Sequence, residues 1–208
     1  MVQIIQAKNI GLAYLKERFG LQRVEDEAFF TEWLDNLPEI TDVEKQYLDR
    51  VKSNFLNLAQ RPPILENAVK MVVLSPLLDL AGFYSQPFAI GTEESIEISV
   101  EDEGEVIRGR IDILVIQKQF WLLVIESKRA GISLLENIPQ ALAYMLASPN
   151  QDKPVFGLLT NGSHFMFIKL IKTHTPTYDI SDEFTLLKRK NELYEVLVIL
   201  KNFSQLLS

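Results

Sequence analysis

Residues 110–128 read Arg-Ile-Asp-Ile-Leu-Val-Ile-Gln-Lys-Gln-Phe-Trp-Leu-Leu-Val-Ile-Glu-Ser-Lys. Two runs of Ile, Val, Leu and aromatic residues are broken only by Gln117-Lys118-Gln119. Each run is short and almost wholly apolar, the pattern of a central strand covered on both faces. Yet Asp112 stands inside the first run, and Glu126-Ser127-Lys128 ends the second. Charges in such places are costly unless they are partnered or used.

Side chains alternate along a strand, so Glu126 and Lys128 share one face while Ser127 points the other way. Arg110 and Asp112 share a face by the same rule. With a loop at 117–119, Arg110 faces Glu126 and Asp112 is diagonal to it; with a loop at 118–120, Asp112 lies directly opposite Glu126. A two-residue loop would split the carboxylates across the sheet, barring a bulge. The expectation is an odd-length loop and a shared face. Two carboxylates about 5 Å apart repel by about 3 kcal/mol at an effective dielectric of about 20. Arg110 and Lys128 offset part of that, and a hard divalent cation offsets more, since Mg²⁺ takes one or two carboxylates plus waters and phosphate oxygens. The same arrangement suits hydrolysis of a phosphodiester, with a lysine orienting water or phosphate. The alternative is that Glu126 and Lys128 are only the polar end of a buried strand.

Asp112 with Glu126-Ser127-Lys128 resembles the PD-(D/E)xK nuclease motif, with Ile111 where the motif name has proline. Gln140-Ala-Leu-Ala-Tyr144 is similar to the Gln-xxx-Tyr motif that follows it in some branches. Upstream, Glu66-Asn-Ala-Val-Lys70 and Ser75-Pro-Leu-Leu-Asp-Leu-Ala-Gly82 resemble the leading helix, which carries a further acidic residue. Together they resemble the N-terminal nuclease domain of type I restriction enzyme R subunits, over about residues 62–172. The resemblance implies an α/β, restriction-endonuclease-like core with a mixed central sheet flanked by helices. It implies Mg²⁺ (or Mn²⁺) held by Asp112, Glu126 and the backbone carbonyl of Ser127, and Lys128 positioning or activating the attacking water. Gln140 and Tyr144 would orient the scissile strand, Glu66 would be a further ligand or water contact, and Arg110 and Arg129 would contact phosphates.

The length, 208 residues with 47% apolar and 24% charged, suits one compact domain with a sizeable core. With no cysteine there is no disulfide framework or thiolate metal site, and no leader or bilayer-length apolar run is visible, so a cytoplasmic location is expected. A net charge of −7 argues against bulk electrostatic attraction to DNA. Residues 93–105 carry Glu93, Glu94, Glu97, Glu101, Asp102, Glu103 and Glu105 without a basic residue, and read as a solvated stretch directed away from a duplex. Weak intrinsic DNA affinity follows, with DNA delivered by a helicase, specificity or other subunit, or by a second copy; no membrane partner is expected.

Residues 1–61 read as a helical region packed on the core at 62–208. Within it, Thr41-Asp-Val-Glu44 matches a capping box, and Val43, Tyr47, Val51, Phe55 and Leu58 form a stripe that either packs on the core or docks a second chain. The helix over 64–80 ends near Ser75-Pro76 or at Gly82, and Lys70 reads as a surface partner of Glu66. Residues 95–101 alternate as a half-exposed strand that turns at Asp102-Glu103-Gly104 into the strand bearing Asp112, and Gly109 suggests a bulge or the close approach of a ligand. The next helix starts at a capping box, Ser133 to Glu136, or at Asn137 with Pro139 in its first turn. Residues 154–171 read as two strands joined at Asn161-Gly162, and 189–207 as a closing helix, giving a core of helix, three strands, helix, two strands. His164 and His174, the only histidines, read as no zinc pair. No Gly-x4-Gly-Lys-Ser/Thr loop is present, so no ATP site is expected. Two rivals to a DNA nuclease stand open: a non-catalytic binding or assembly module of the same fold, and a hydrolase of RNA or nucleotides.

Overall fold

The two apolar runs form a hairpin of β4 (Glu105–Gln117) and β5 (Phe120–Ser127) at the centre of the sheet. The computed structural model describes residues 3–100 and 104–206, apart from the side chain of Val100. Glu101, Asp102 and Glu103 lie outside the described residues, as does the greater part of the expected turn before Gly104.

Gln117 pairs with Phe120, so the hairpin loop is the two residues Lys118-Gln119, with Lys118 in the left-handed region at φ 56°. The expected odd-length loop is wrong. The partners then shift: Ile116 faces Trp121 while Val115 faces Leu123, which leaves Leu122 as an extra residue. This bulge reverses the alternation of β5 relative to β4 once more. Ile113 pairs with Ile125, and the same register carried one step further sets Asp112 across from Glu126. The shared face is present, by bulge rather than by loop length.

Around the hairpin the order is β1 (Gln3–Gln6), α1 (Leu12–Phe19), β2 (Gln22–Arg23), α2 (Asp42–Ala59), α3 (Glu66–Val69), a π-helical turn (Lys70–Leu74), α4 (Ser75–Leu80), β3 (Phe88–Val100), then after the hairpin α5 (Ile138–Leu146), β6 (Val155–Thr160), β7 (His164–Lys172), β8 (Pro176–Thr185) and α6 (Leu193–Leu206). The sheet runs β1-β4-β5-β6-β7-β8-β2, with β3 also on β4. It is mixed: β1–β4, β5–β6 and β8–β2 are parallel and the other pairs antiparallel. Helices cover both faces. One core joins α2, α4 and α6 through Phe55, Leu77, Leu78, Phe156, Leu197 and Phe203; the other joins α1 and α5 through Leu15, Ile111, Val124, Leu142 and Met145. This is the expected α/β architecture.

Several elements differ from the sequence reading. Residues 3–6 and 22–23 are strands rather than helix, because β4 and β8 present free edges that the N-terminal segment pairs with; edge pairing overrides local preference. The capping box at Thr41 forms, with Glu44 N–H donating to Thr41 Oγ1 at 3.2 Å and Thr41 N–H to Glu44 Oε2 at 2.7 Å. The inward stripe of α2 is Leu48, Val51 and Phe55, while Val43 is 75% exposed. The leading helix passes Ser75-Pro76 and ends at Gly82 (φ 84°), since the π turn just before Pro76 adjusts the ladder that proline interrupts. Pro139 opens α5, and no capping box forms at Ser133. Asn161 N–H donates to His164 O at 3.3 Å, moving the turn centre to Gly162-Ser163. β8 is an additional strand after the two expected ones. His164 opens β7 and His174 lies past its other end, so they form no pair.

Candidate functional site

β3 occupies one edge of β4 along almost its whole length. On the other edge β1 pairs with Glu105–Arg108 and β5 with Ile113–Gln117. Residues 109–112 therefore face a gap between two strands, and side chains take over the backbone groups left there. Ser127 N–H donates to Asp112 Oδ2 at 2.7 Å. Arg110 N–H donates to the Tyr144 hydroxyl. Gly109 makes room for that ring: a Cβ there would lie 2.4 Å from Tyr144 Cε1 and 2.9 Å from the Cβ of Ala7. The group that approaches Gly109 is the Tyr144 ring, where a bulge or a ligand was expected.

Glu126 is 2% exposed. Its Oε1 accepts from Lys128 Nζ and from Gln140 Nε2 at 2.7 Å, and its buried Oε2 has no partner among the described residues. Gln140 ties the cluster together, since its Nε2 also donates to the Tyr144 hydroxyl at 2.7 Å and its Oε1 accepts from Lys128 Nζ at 3.1 Å. Helical spacing puts residues four apart on one face, and α5 lies on the core face shared by Val124 and Glu126. Burial first, then the charge of Asp112, pushes the Glu126 carboxyl from 4.5 up to about 7, against the pull of Lys128. Burial and the Glu126 charge push the Tyr144 hydroxyl up to about 12, so it is a neutral donor and acceptor.

Two participants were not legible in the sequence. Lys70, read as a plain surface partner of Glu66, has a side chain only 16% exposed. Its Nζ donates to Asp112 Oδ1 at 2.8 Å and also meets Glu66 Oε1 at 3.1 Å and Glu93 Oε1 at 3.3 Å. Burial pulls this ammonium down, but the hydrogen bond and charge of Asp112, then those of Glu66, outweigh it and hold Lys70 above the ordinary lysine range. Glu93, assigned to a stretch directed away from a substrate, instead turns toward this cluster. It falls between the pairs Thr92–Ile113 and Glu94–Ile111, across from Asp112, and its φ of 57° is left-handed. Such backbone strain persists only where its surroundings hold it. The one hint in the sequence was a lysine set among Ala68, Val69, Met71 and Val72 on the leading helix.

The expected residues thus fall into three groups. Asp112, Glu126, Ser127, Lys128, Gln140 and Tyr144 are brought together, and Glu66 joins them through Lys70. Arg129 lines a cleft of about 500 Å³ with Leu65, Glu66, Lys70, Glu93 and Lys128. Arg110 is held by Glu93 Oε2 at 3.0 Å, so the expected phosphate contact is engaged within the protein. A hollow of about 580 Å³ between α1, β2 and β8 has no acidic lining and belongs to another part of the surface.

No protein-family model and no curated protein matches the chain. A solved structure is similar to part of it. That structure is a fragment described as an HsdR subunit of a type I restriction enzyme from Vibrio vulnificus YJ016, 20% identical, with a TM-score of 0.40. The similarity covers 59% of this chain and 24% of that one, so the chain spans about a quarter of the relative's length.

Among the described residues no group of three or more His, Cys, Asp or Glu is placed to enclose a metal. Two carboxylates and a carbonyl, completed by water, are nevertheless an ordinary donor set for Mg²⁺. The unpartnered Oε2 of Glu126, an acceptor buried without a counterpart, fits such an ion. No helix among the described residues is long and apolar enough to cross a membrane.

Proposed function

We propose that the domain is a Mg²⁺-dependent DNA nuclease that hydrolyses phosphodiester bonds. The observation that carries this reading is the buried Glu126 with one unpartnered oxygen, set across from Asp112 and beside Lys128 on one face of the sheet. Asp112 and Glu126, helped by the Ser127 carbonyl, would hold Mg²⁺ or Mn²⁺. The ion, when bound, supplies an activated water and offsets charge on the phosphoryl group. Lys128 has three donor hydrogens, and Glu126 and Gln140 take two of them. The third is left for an attacking water or a phosphate oxygen. Gln140 and Tyr144 fix the position of that ammonium from α5. Arg129, in the cleft, positions the backbone without reading bases.

The resemblance of Asp112, Glu126-Ser127-Lys128 and Gln140 with Tyr144 to the nuclease motif supports the choice of DNA, and a helicase, a specificity subunit or a second copy is the expected source of the substrate. A non-catalytic module is the second reading. It is favoured by the two lysines that already neutralise Asp112 and Glu126 and by the net charge of −7.

Plasmid nicking in Mg²⁺ or Mn²⁺ tests the proposal, with Lys128→Ala beside the wild type. Nicking by the wild type and its loss by at least about a hundredfold in the variant is the expected result, the scale of one acid–base or orienting group. Equal nicking by both proteins would refute the assignment of the site.

A further inference from the structure

We infer that Lys70 is a built-in counter-ion that occupies the cation position beside Asp112 and must move before a divalent ion can bind. This rests on the nuclease reading above and adds a gate to it.

The Lys70 ammonium is shared by Asp112, Glu66 and Glu93 at 2.8, 3.1 and 3.3 Å. Asp112 is committed on both oxygens, Oδ2 to Ser127 N–H and Oδ1 to Lys70. Oδ2 is taken by a backbone donor, which no side-chain motion removes, so Oδ1 is the oxygen left for a cation, and Lys70 holds it. Glu126, by contrast, keeps Oε2 unpartnered. One ligand is therefore open and its partner is closed by a side chain that reaches across 42 residues of sequence.

The same contacts provide a place for Lys70 to go. Its helix starts at Glu66, an i,i+4 partner on the same helical face. Glu93 is more exposed than Asp112, with side-chain exposures of 51% and 11%. An ammonium released from Asp112 remains paired with Glu66 and Glu93 at the cleft wall, so its exchange for a divalent ion leaves no charge bare. Arg110 competes for Glu93 through Oε2, which keeps this second position from being the stronger one.

Mn²⁺ titration of the metal-free protein without DNA tests the gate, by calorimetry and by the loss of free-ion paramagnetic resonance signal. The proteins are wild type, Lys70→Gln, Lys70→Met and Asp112→Asn, each checked for its fold by circular dichroism. If Lys70 occupies Asp112 about nine-tenths of the time, both Lys70 variants bind Mn²⁺ about tenfold more tightly than the wild type. Asp112→Asn abolishes binding. Unchanged or weaker affinity in both folded Lys70 variants overturns the gate while leaving the nuclease reading intact. Absence of binding even in the Lys70 variants, or full binding in Asp112→Asn, overturns the metal site itself and the gate with it.

Discussion

At the scale of the residue, Glu126 carries a measurable cost. Its folded-state value of about 7 lies above the ordinary 4.5, so the folded protein holds the proton more tightly than the unfolded chain. The stability that this contributes is complete below about 4.5 and is lost as pH rises through about 7. Metal-free protein is expected to melt at progressively lower temperature across that window. Glu126→Gln flattens the profile and at pH 8 is the more stable protein, by on the order of 3 kcal/mol. Thermal melts across pH, with and without Mn²⁺, check this, and a wild-type profile as flat as that of the variant would contradict it. Asp112, Glu126 and Lys128 were legible because charges inside or at the end of apolar strands stand out in any pattern. Lys70 and Glu93 were not. Each looked like an ordinary surface charge within its own element, and only a contact between a helix and two strands makes them part of the site.

At the scale of the element, the hairpin shows what alternation can and cannot say. Leu122 is one apolar residue in a run of them, and nothing in Trp-Leu-Leu-Val marks it as the residue without a partner. A shared face for Asp112 and Glu126 followed from chemistry, whereas the device that achieves it did not. β8 escaped notice for the opposite reason: Tyr178, Ile180 and Phe184 are spaced among polar residues, with no apolar run to mark a strand. Gly109 was conspicuous, although its neighbour was not. Gly109→Ala puts a methyl group into the Tyr144 ring and the side chain of Ala7. Overpacking of this kind costs about 1–3 kcal/mol. Urea denaturation should show that loss, and the Tyr144 ring, driven from the gap, should lose its contact with Gln140 and lower nicking along with it.

At the scale of the whole molecule, the long irregular segment before α2 is held by the buried Phe30 and by one buried cation. Lys169 on β7 is 8% exposed and donates to the Phe29 carbonyl at 2.6 Å and to Glu32, while Asn202 on α6 donates to the Glu32 carbonyl at 2.8 Å. Lys169→Met leaves the half-buried Glu32 without its cation and the Phe29 carbonyl without its donor. A loss of about 1.5–3 kcal/mol is expected in chemical denaturation, and Glu32→Gln in the same background should recover part of it. The N-terminal segment reads poorly from sequence because its two short strands form only where β4 and β8 offer an edge. The central sheet and its covering helices read well, because long apolar runs and helical stripes are set locally.

The left-handed turn of Glu93 reaches beyond the chemistry of the cleft. β3 is thirteen residues long and, among the described residues, pairs only through β4. Its outer side is a row of backbone donors and acceptors of the kind that recruits a strand from another molecule. A residue at φ 57° breaks that row part-way along, and the exposed Glu94 sets a negative charge beside the break. A strand approaching in register meets a crooked border instead of a straight one. The backbone distortion that brings a carboxylate to Lys70 thereby also makes β3 a poorer template for a further strand.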